Sequence, residues 1–471
     1  MSNPVIELLE KELGSRVRTD GETLASHRHD SWVLSELLDL EGSPGPSPIA
    51  VVFPSSAEEV ARCVRVCREA RVPLVPYGGG SGVCGAIRVG EGSVVLSTRE
   101  LAGLLDLNRE SLTATFAAGT LGLDAENRMQ EEGFTIGHWP QSVEISTVGG
   151  WVATRASGQF SSRYGSIEDL VLALEVVLPN GQILRTPRTP RSSAGPDLKQ
   201  LFMGSEGLLG VVTSVTFSLH PLPAATRRQA FHFGDLQEGL GAIRGLMHAG
   251  WRPPVIRLYD AAESARLFGE WCPEGRALLI LLHEGAEAAL EVESASVADL
   301  CGAAGGSRSD PGAVDHWFEH RNRVPGFREF LERGIILDTV EVAATWDRVG
   351  DLYTRVTRSL SEVSGILVAS GHSSHSYRSG TNLYMTFVAR PDEASQMAST
   401  YRECWRRIME ATLASGGGIA HHHGIGRIRR GVLEREIGQT GVDLLRSIKR
   451  ALDPDGLLNP GALLPDPDEG A

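Results

Sequence analysis

The sequence predicts an α+β protein of two domains, on three observations. Short β-like runs alternate with helical stretches in the first half, three glycine-rich loops fall in that same half, and longer helices take over after Pro221-Leu222-Pro223. At 471 residues, 41% of them hydrophobic and 22% charged, the chain can form two or three cores of ordinary domain size.

The elements follow in order. Ile49 to Phe53 reads as a strand, a helix starts near Ser55, and Pro73 to Pro76 returns as a strand. Ser56 and Glu59 have the spacing of a capping box, in which side chain and backbone satisfy each other's free donors. Further β-like runs lie at Ser93 to Ser97, Thr113 to Ala117, Leu170 to Leu178, Ile183 to Thr186 and Leu209 to Leu219. Beyond Pro223, helices are expected at Asp235 to Ala249, Ala286 to Leu300 and Gln396 to Leu413, with strands at Ala277 to Leu282 and Ile335 to Val342. A last helix near Gly441 to Leu452 precedes an acidic tail after Pro465 that is expected to be disordered. The expected division is 1–222, 223–415 and a closing segment 416–471 that returns to the first domain.

A net charge of −14 excludes a general nucleic-acid binder, since phosphate backbones are held by clustered Lys and Arg. Only three of the 45 basic residues are lysine, so a fixed anion site would be built from Arg, whose planar fork suits carboxylate and phosphate. The six scattered cysteines fit neither a zinc site nor a disulfide scaffold and suggest a reducing compartment. Met1 to Val17 lacks the form of a signal peptide, and no apolar run is long enough to span a bilayer, so a cytoplasmic protein is expected. Docking on a membrane surface and a homodimer stay open.

The first glycine loop, Pro76-Tyr77-Gly78-Gly79-Gly80-Ser81-Gly82, follows a strand, so successive residues can present backbone N–H groups to an anion such as a pyrophosphate. It is neither a Walker A loop nor a Rossmann fingerprint. The second, Ser146-Thr147-Val148-Gly149-Gly150 on to Thr154 and Ser157, combines small residues with hydroxyls and lets backbone approach a flat ligand. The third, Gly204-Ser205-Glu206-Gly207, leads into a β run containing Val212. Three such loops in one domain are hard to read as unrelated turns.

Together with Gly165-Ser166-Ile167-Glu168-Asp169-Leu170, these stretches resemble the FAD-linked oxidases of the vanillyl-alcohol oxidase superfamily, from about His27 to the C-terminus. The resemblance implies the two-domain vanillyl-alcohol oxidase-type FAD-binding fold with an α+β substrate (cap) domain. It also implies that Pro76, Gly78, Gly79, Gly80, Ser81, Gly82, Ser146, Thr147, Gly149, Gly150, Thr154, Ser157, Glu206, Gly207 and Val212 lie along FAD.

Within that superfamily, Pro140 to Gly158, the triple histidine His421-His422-His423 and the segment Ser376 to Tyr384 are similar to alkyldihydroxyacetonephosphate synthases. That likeness implies catalytic roles for Tyr384, His422 and His423, and substrate binding by Arg257, Arg328 and His421, Arg328 matching only across a one-residue gap. It implies noncovalent FAD, although His138 is a candidate for covalent attachment, and a lipid or small-molecule substrate. The reaction implied exchanges the acyl group of acyl-dihydroxyacetone phosphate for a long-chain alcohol, through a flavin N5 adduct and without net redox. The alternative is an FAD-dependent dehydrogenase or oxidase of a 2-hydroxy acid or alcohol. Glycolate and D-lactate dehydrogenases tend to carry histidine where Tyr384 stands. No metal is expected: adjacent histidines diverge, and no nearby Asp, Glu or His cluster supplies further ligands. As plain structure, Tyr384 would be a core aromatic among Leu383, Met385 and Phe387, and the histidines a solvated loop.

Overall fold

A computed structural model describes residues 3–324 and 326–465. Ala50–Val52, Val94–Ser97 and Leu74–Tyr77 pair in parallel, and Val17–Arg18 adds an antiparallel edge. The helix Ala57–Glu69 buries Val60, Cys63, Val64 and Cys67 on one face, so the paired cysteines are core residues. Its start departs slightly from the expected box. Ser56 Oγ accepts the Glu59 N–H at 3.2 Å, but the Glu59 carboxylate reaches one residue further back, to the N–H of Ser55 at 2.7 Å.

Five antiparallel strands form a second sheet with Val211–Ser218 at its centre, between Thr113–Ala117 and Val171–Val177. Its edge strand Leu104–Asn108 escapes the sequence reading because Leu-Leu-Asp-Leu-Asn has no β-branched residue and buries little.

From Ala225 the chain enters a seven-stranded antiparallel sheet. Along Ala277–Gly285, Leu279 and Leu281 face a core shared with the helices Leu236–His248, Val349–Ser361 and Met397–Ala414. Leu278, Ile280 and Leu282 point the other way, to Phe160 and Trp317, as the two-residue strand period requires. The chain's two ends cross between these parts. Trp32 joins the second core and donates its indole N–H to Tyr401 Oη at 3.0 Å. The C-terminal helix Arg430–Leu452, broken at Gly438 (φ 73°), leads to Asn459, whose N–H bonds Leu74 O at 2.9 Å beside the first sheet. The expected acidic tail lies outside the described residues. Among the described residues no helix is long and apolar enough to cross a membrane, and all six cysteines are buried and free.

Candidate active site

The three glycine loops and one face of the seven-stranded sheet enclose a cavity of ≈ 610 Å³. All fifteen residues proposed for FAD line it, together with Tyr384, His422, His423 and Arg257. Among the described residues, the backbone N–H groups of Gly79, Gly80, Ser81 and Gly82 find no acceptor in the protein, which leaves a row of donors for a pyrophosphate. Side chains would destroy this row: a Cβ on Gly79 would run into the Ile145 carbonyl, and Gly80 has a φ of +68°. Thr147 caps the helix Val148–Thr154, its Oγ1 accepting the Gly150 N–H at 3.2 Å, and so fixes the second loop.

Glu206 has a second task. Its buried carboxylate accepts the N–H groups of Ile425 at 2.6 Å and Gly426 at 3.0 Å, so it ties the third loop to the histidine loop. Burial raises this carboxyl to about 7, against the pull of those N–H groups and of Arg429.

Strand register brings four polar side chains together. Glu341, Tyr384, His372 and Tyr259 lie side by side across four adjacent strands. Tyr384 belongs to the face opposite Leu383, Met385 and Phe387, which are core residues, so period two separates the chemistry from the packing. Its hydroxyl meets His422 Nε2 at 2.8 Å and His423 Nε2 at 3.3 Å, and its ring stacks on His372 at 4.8 Å. Burial raises the Tyr384 pKa, so the phenol is protonated at neutral pH.

Glu341, which the sequence does not single out, organises the loop from below. It accepts the backbone N–H of His423 at 2.7 Å and a bond from buried Arg429 Nη2 at 3.1 Å. His423 Nδ1 lies 2.5 Å from Glu341 Oε2, close enough for an ion pair although not aligned for a hydrogen bond. Burial would raise the Glu341 carboxyl, but Arg429 and His423 hold it well below the usual range. Arg429 also donates to Gly424 O at 2.6 Å.

Arg257 lines the cavity where expected, donating to Tyr259 Oη at 2.8 Å and meeting His372 Nε2 at 3.0 Å. His372 Nδ1 in turn faces Glu263 Oε2 at 2.7 Å, which fixes the ring. The Arg328 expectation is corrected. Its neighbour Phe327 faces the cavity, and the helical step turns Arg328 outward, 59% exposed and bonded to Glu332 at 3.1 Å. Arg266, Arg321 and Arg323 also line the cavity, and of these Arg321 is the one held among aromatic rings. Its guanidinium carbon sits 4.4 Å from the Trp139 ring centre and 4.7 Å from that of Phe318. Burial lowers its pKa to about 10, its Nη1 has no partner, and no ion pair holds it among the described residues. The spacing Trp317-Phe318-x-x-Arg321 on one helix end is the signal that could have found it.

His421 is corrected too. It is absent from the cavity wall and points to Tyr377 Oη at 2.8 Å. A further histidine, His375, comes from another strand end to within 4.8 Å of His421 and His422, so the expectation of no neighbouring ligand fails. Both nitrogens of His421 and of His422 already make hydrogen bonds within the protein, and His375 Nδ1 meets Ser161 Oγ at 2.7 Å. His138 is fully buried against Trp151 and is not part of the cavity wall, which argues against covalent flavin there.

The family described as FAD binding domain matches residues 48–187, and FAD linked oxidases, C-terminal domain, matches residues 222–463. The chain belongs to the FAD-linked oxidases. FAD is its cofactor, and the free N–H row, the small-residue wall and the cavity fit it. This FAD-linked oxidase is 32% identical to the uncharacterized FAD-linked oxidoreductase YgcU of Escherichia coli (strain K12), over 98% of each chain. It is 29% identical to the alkyldihydroxyacetonephosphate synthase of Trypanosoma brucei brucei, over 89% of this chain and 74% of the relative. A solved alkyldihydroxyacetonephosphate synthase superposes with a TM-score of 0.82 at 25% identity, covering 98% of this chain and 85% of the other. The fold is the vanillyl-alcohol oxidase-type two-domain FAD fold.

Proposed function

We propose that this FAD-linked oxidase is an alkyldihydroxyacetonephosphate synthase-like alkyl transferase. It would exchange the acyl group of an acyl-dihydroxyacetone phosphate for a long-chain alcohol, giving an ether lipid precursor without net redox. The observation that carries this reading is the Tyr384–His422 bond of 2.8 Å in the cavity that the FAD loops line. Bound FAD supplies an electron sink for the pair left when a substrate proton is removed.

Tyr384 exchanges that proton with the substrate while His422 Nε2 accepts the phenol's own. Arg257 and Arg321 take the phosphate or the departing carboxylate. An apolar wall of Leu267, Phe268, Val324 and Phe327 borders those arginines and suits the hydrocarbon chains. His372 and Glu341 touch neither substrate nor cofactor in this scheme; they hold Arg257, Tyr384 and His423 in place.

The test is anaerobic. Palmitoyl-dihydroxyacetone phosphate and hexadecanol are added to the yellow protein, the flavin spectrum is followed, and lipids are read by mass spectrometry. Alkyl-dihydroxyacetone phosphate and free palmitate without lasting flavin reduction support the transferase. If no ether lipid forms and 2-hydroxy acids bleach the flavin, the protein is a dehydrogenase instead.

A further inference from the structure

The three loop histidines point three ways. His423 turns to Glu341 and Tyr384, His422 to Tyr384, and His421 away from the cavity. Tyr384 Oη meets His422 Nε2 at 2.8 Å, His422 Nδ1 meets His421 Nδ1 at 2.7 Å, and His421 Nε2 meets Tyr377 Oη at 2.8 Å. Tyr377 is 37% exposed. Three short contacts thus link a cavity phenol to a phenol at the surface.

The contact between two Nδ1 atoms requires opposite tautomers in the two rings, because one Nδ1 must carry hydrogen and the other a lone pair. With both rings neutral, one arrangement lets Tyr384 donate to His422, His422 Nδ1–H donate to His421, and His421 Nε2–H donate to Tyr377. The Tyr377 hydroxyl hydrogen is then left free of His421, on a residue that is partly exposed and whose hydroxyl also lies near the Ser157 and Ser166 side chains. Burial lowers both imidazoles, His421 to about 4, so neither ring stores a proton; one that arrives at one nitrogen must leave from the other. His375 keeps the chain in place by stacking on His421 at 5.0 Å.

We propose that Tyr384, His422, His421 and Tyr377 form a proton conduit between the cavity and solvent. The proposal rests on Tyr384 exchanging a proton with the substrate. As a substrate proton reaches Tyr384 Oη, the phenol hydrogen passes to His422 Nε2, the His422 Nδ1 hydrogen to His421 Nδ1, the His421 Nε2 hydrogen to Tyr377 Oη, and the Tyr377 hydrogen to water. The electron pair of the broken substrate bond stays with the substrate and its FAD sink. Each residue ends neutral, one proton reaches solvent, and both imidazoles have exchanged tautomers. Return of the proton by the same path restores them, which suits a reaction that both removes and replaces a proton.

Tyr377→Phe removes the outer hydroxyl and keeps the ring. Exchange of the α-hydrogen of palmitoyl-dihydroxyacetone phosphate into D2O, on the FAD-loaded enzyme, should be at least about tenfold slower in this variant. Added imidazole should restore it, while wild type ignores the buffer. An unchanged rate, or a loss that no buffer restores, overturns the conduit. Nitrogen-15 spectra of the histidines need no substrate: His422 should carry its hydrogen on Nδ1 and His421 on Nε2, with the His421 hydrogen exchanging more slowly with water in Tyr377→Phe. Like tautomers in the two rings, or unaltered exchange, sink the proposal. If wild type exchanges no α-hydrogen, the substrate reading fails, and the spectra alone decide the conduit.

Discussion

The carboxylate of Glu206 binds the backbone N–H groups of Ile425 and Gly426, more than two hundred residues further along the chain. A residue of the third glycine loop therefore sets the position of the histidine loop, and the two loops share one support. Gly424 lies so close to this carboxylate that any Cβ there would collide with it.

Glu206→Ala leaves the N–H groups of half-buried Ile425 and buried Gly426 without acceptors. We expect a loss of about 2–3 kcal/mol in urea unfolding, with activity falling further than FAD content. Equal losses of FAD and activity would mean that Glu206 serves the cofactor alone.

Tyr384→Phe keeps the stack on His372 and removes only the hydroxyl that meets His422. Turnover should fall by about 10²- to 10⁴-fold, while the flavin spectrum and FAD stoichiometry stay those of wild type. A variant that turns over normally would return Tyr384 to the role of a packing aromatic.

Arg321 and Arg328 make a matched pair, seven residues apart but on opposite sides of the cavity wall. Arg321→Gln should raise KM for an anionic substrate by roughly 10- to 100-fold, because a desolvated guanidinium loses its anion. Arg328→Gln, which breaks only an exposed i,i+4 pair, should leave KM unchanged. The reverse pattern in steady-state kinetics would restore Arg328 as the substrate-binding arginine.

What could be read from the sequence was local. Gly79 and Gly80 declare their loop because only backbone fits there, and Tyr384 and the triple histidine stand out as residue types. What could not be read depends on distant register. Glu341 is one acidic residue in a strand until its pairing opposite Tyr384 is known, and Arg321 becomes a cavity residue only when Trp139, 182 positions earlier, folds over it. Arg328 is singled out by a linear match, which cannot see which way a six-residue helix faces. The strand Val255–Tyr259 was likewise hidden, since prolines precede it and its arginine interrupts an apolar run.

Burial makes acid the vulnerable side for this fold. His138, with neither ring nitrogen bonded, is lowered by burial to about 3, and His421 to about 4, against 6.5 for a free ring. Between pH 6.5 and about 4 the unfolded chain binds these protons and the folded chain does not, so stability falls as pH falls through that window. Each group contributes a slope of up to about 1.4 kcal/mol per pH unit. His138→Phe keeps a ring against Trp151 and removes one titration. Compared with its own stability at pH 8, the variant should lose about 2 kcal/mol less than wild type on going to pH 5. Urea unfolding at the two pH values measures this, and parallel losses in both proteins would show that His138 finds a proton acceptor in the folded state.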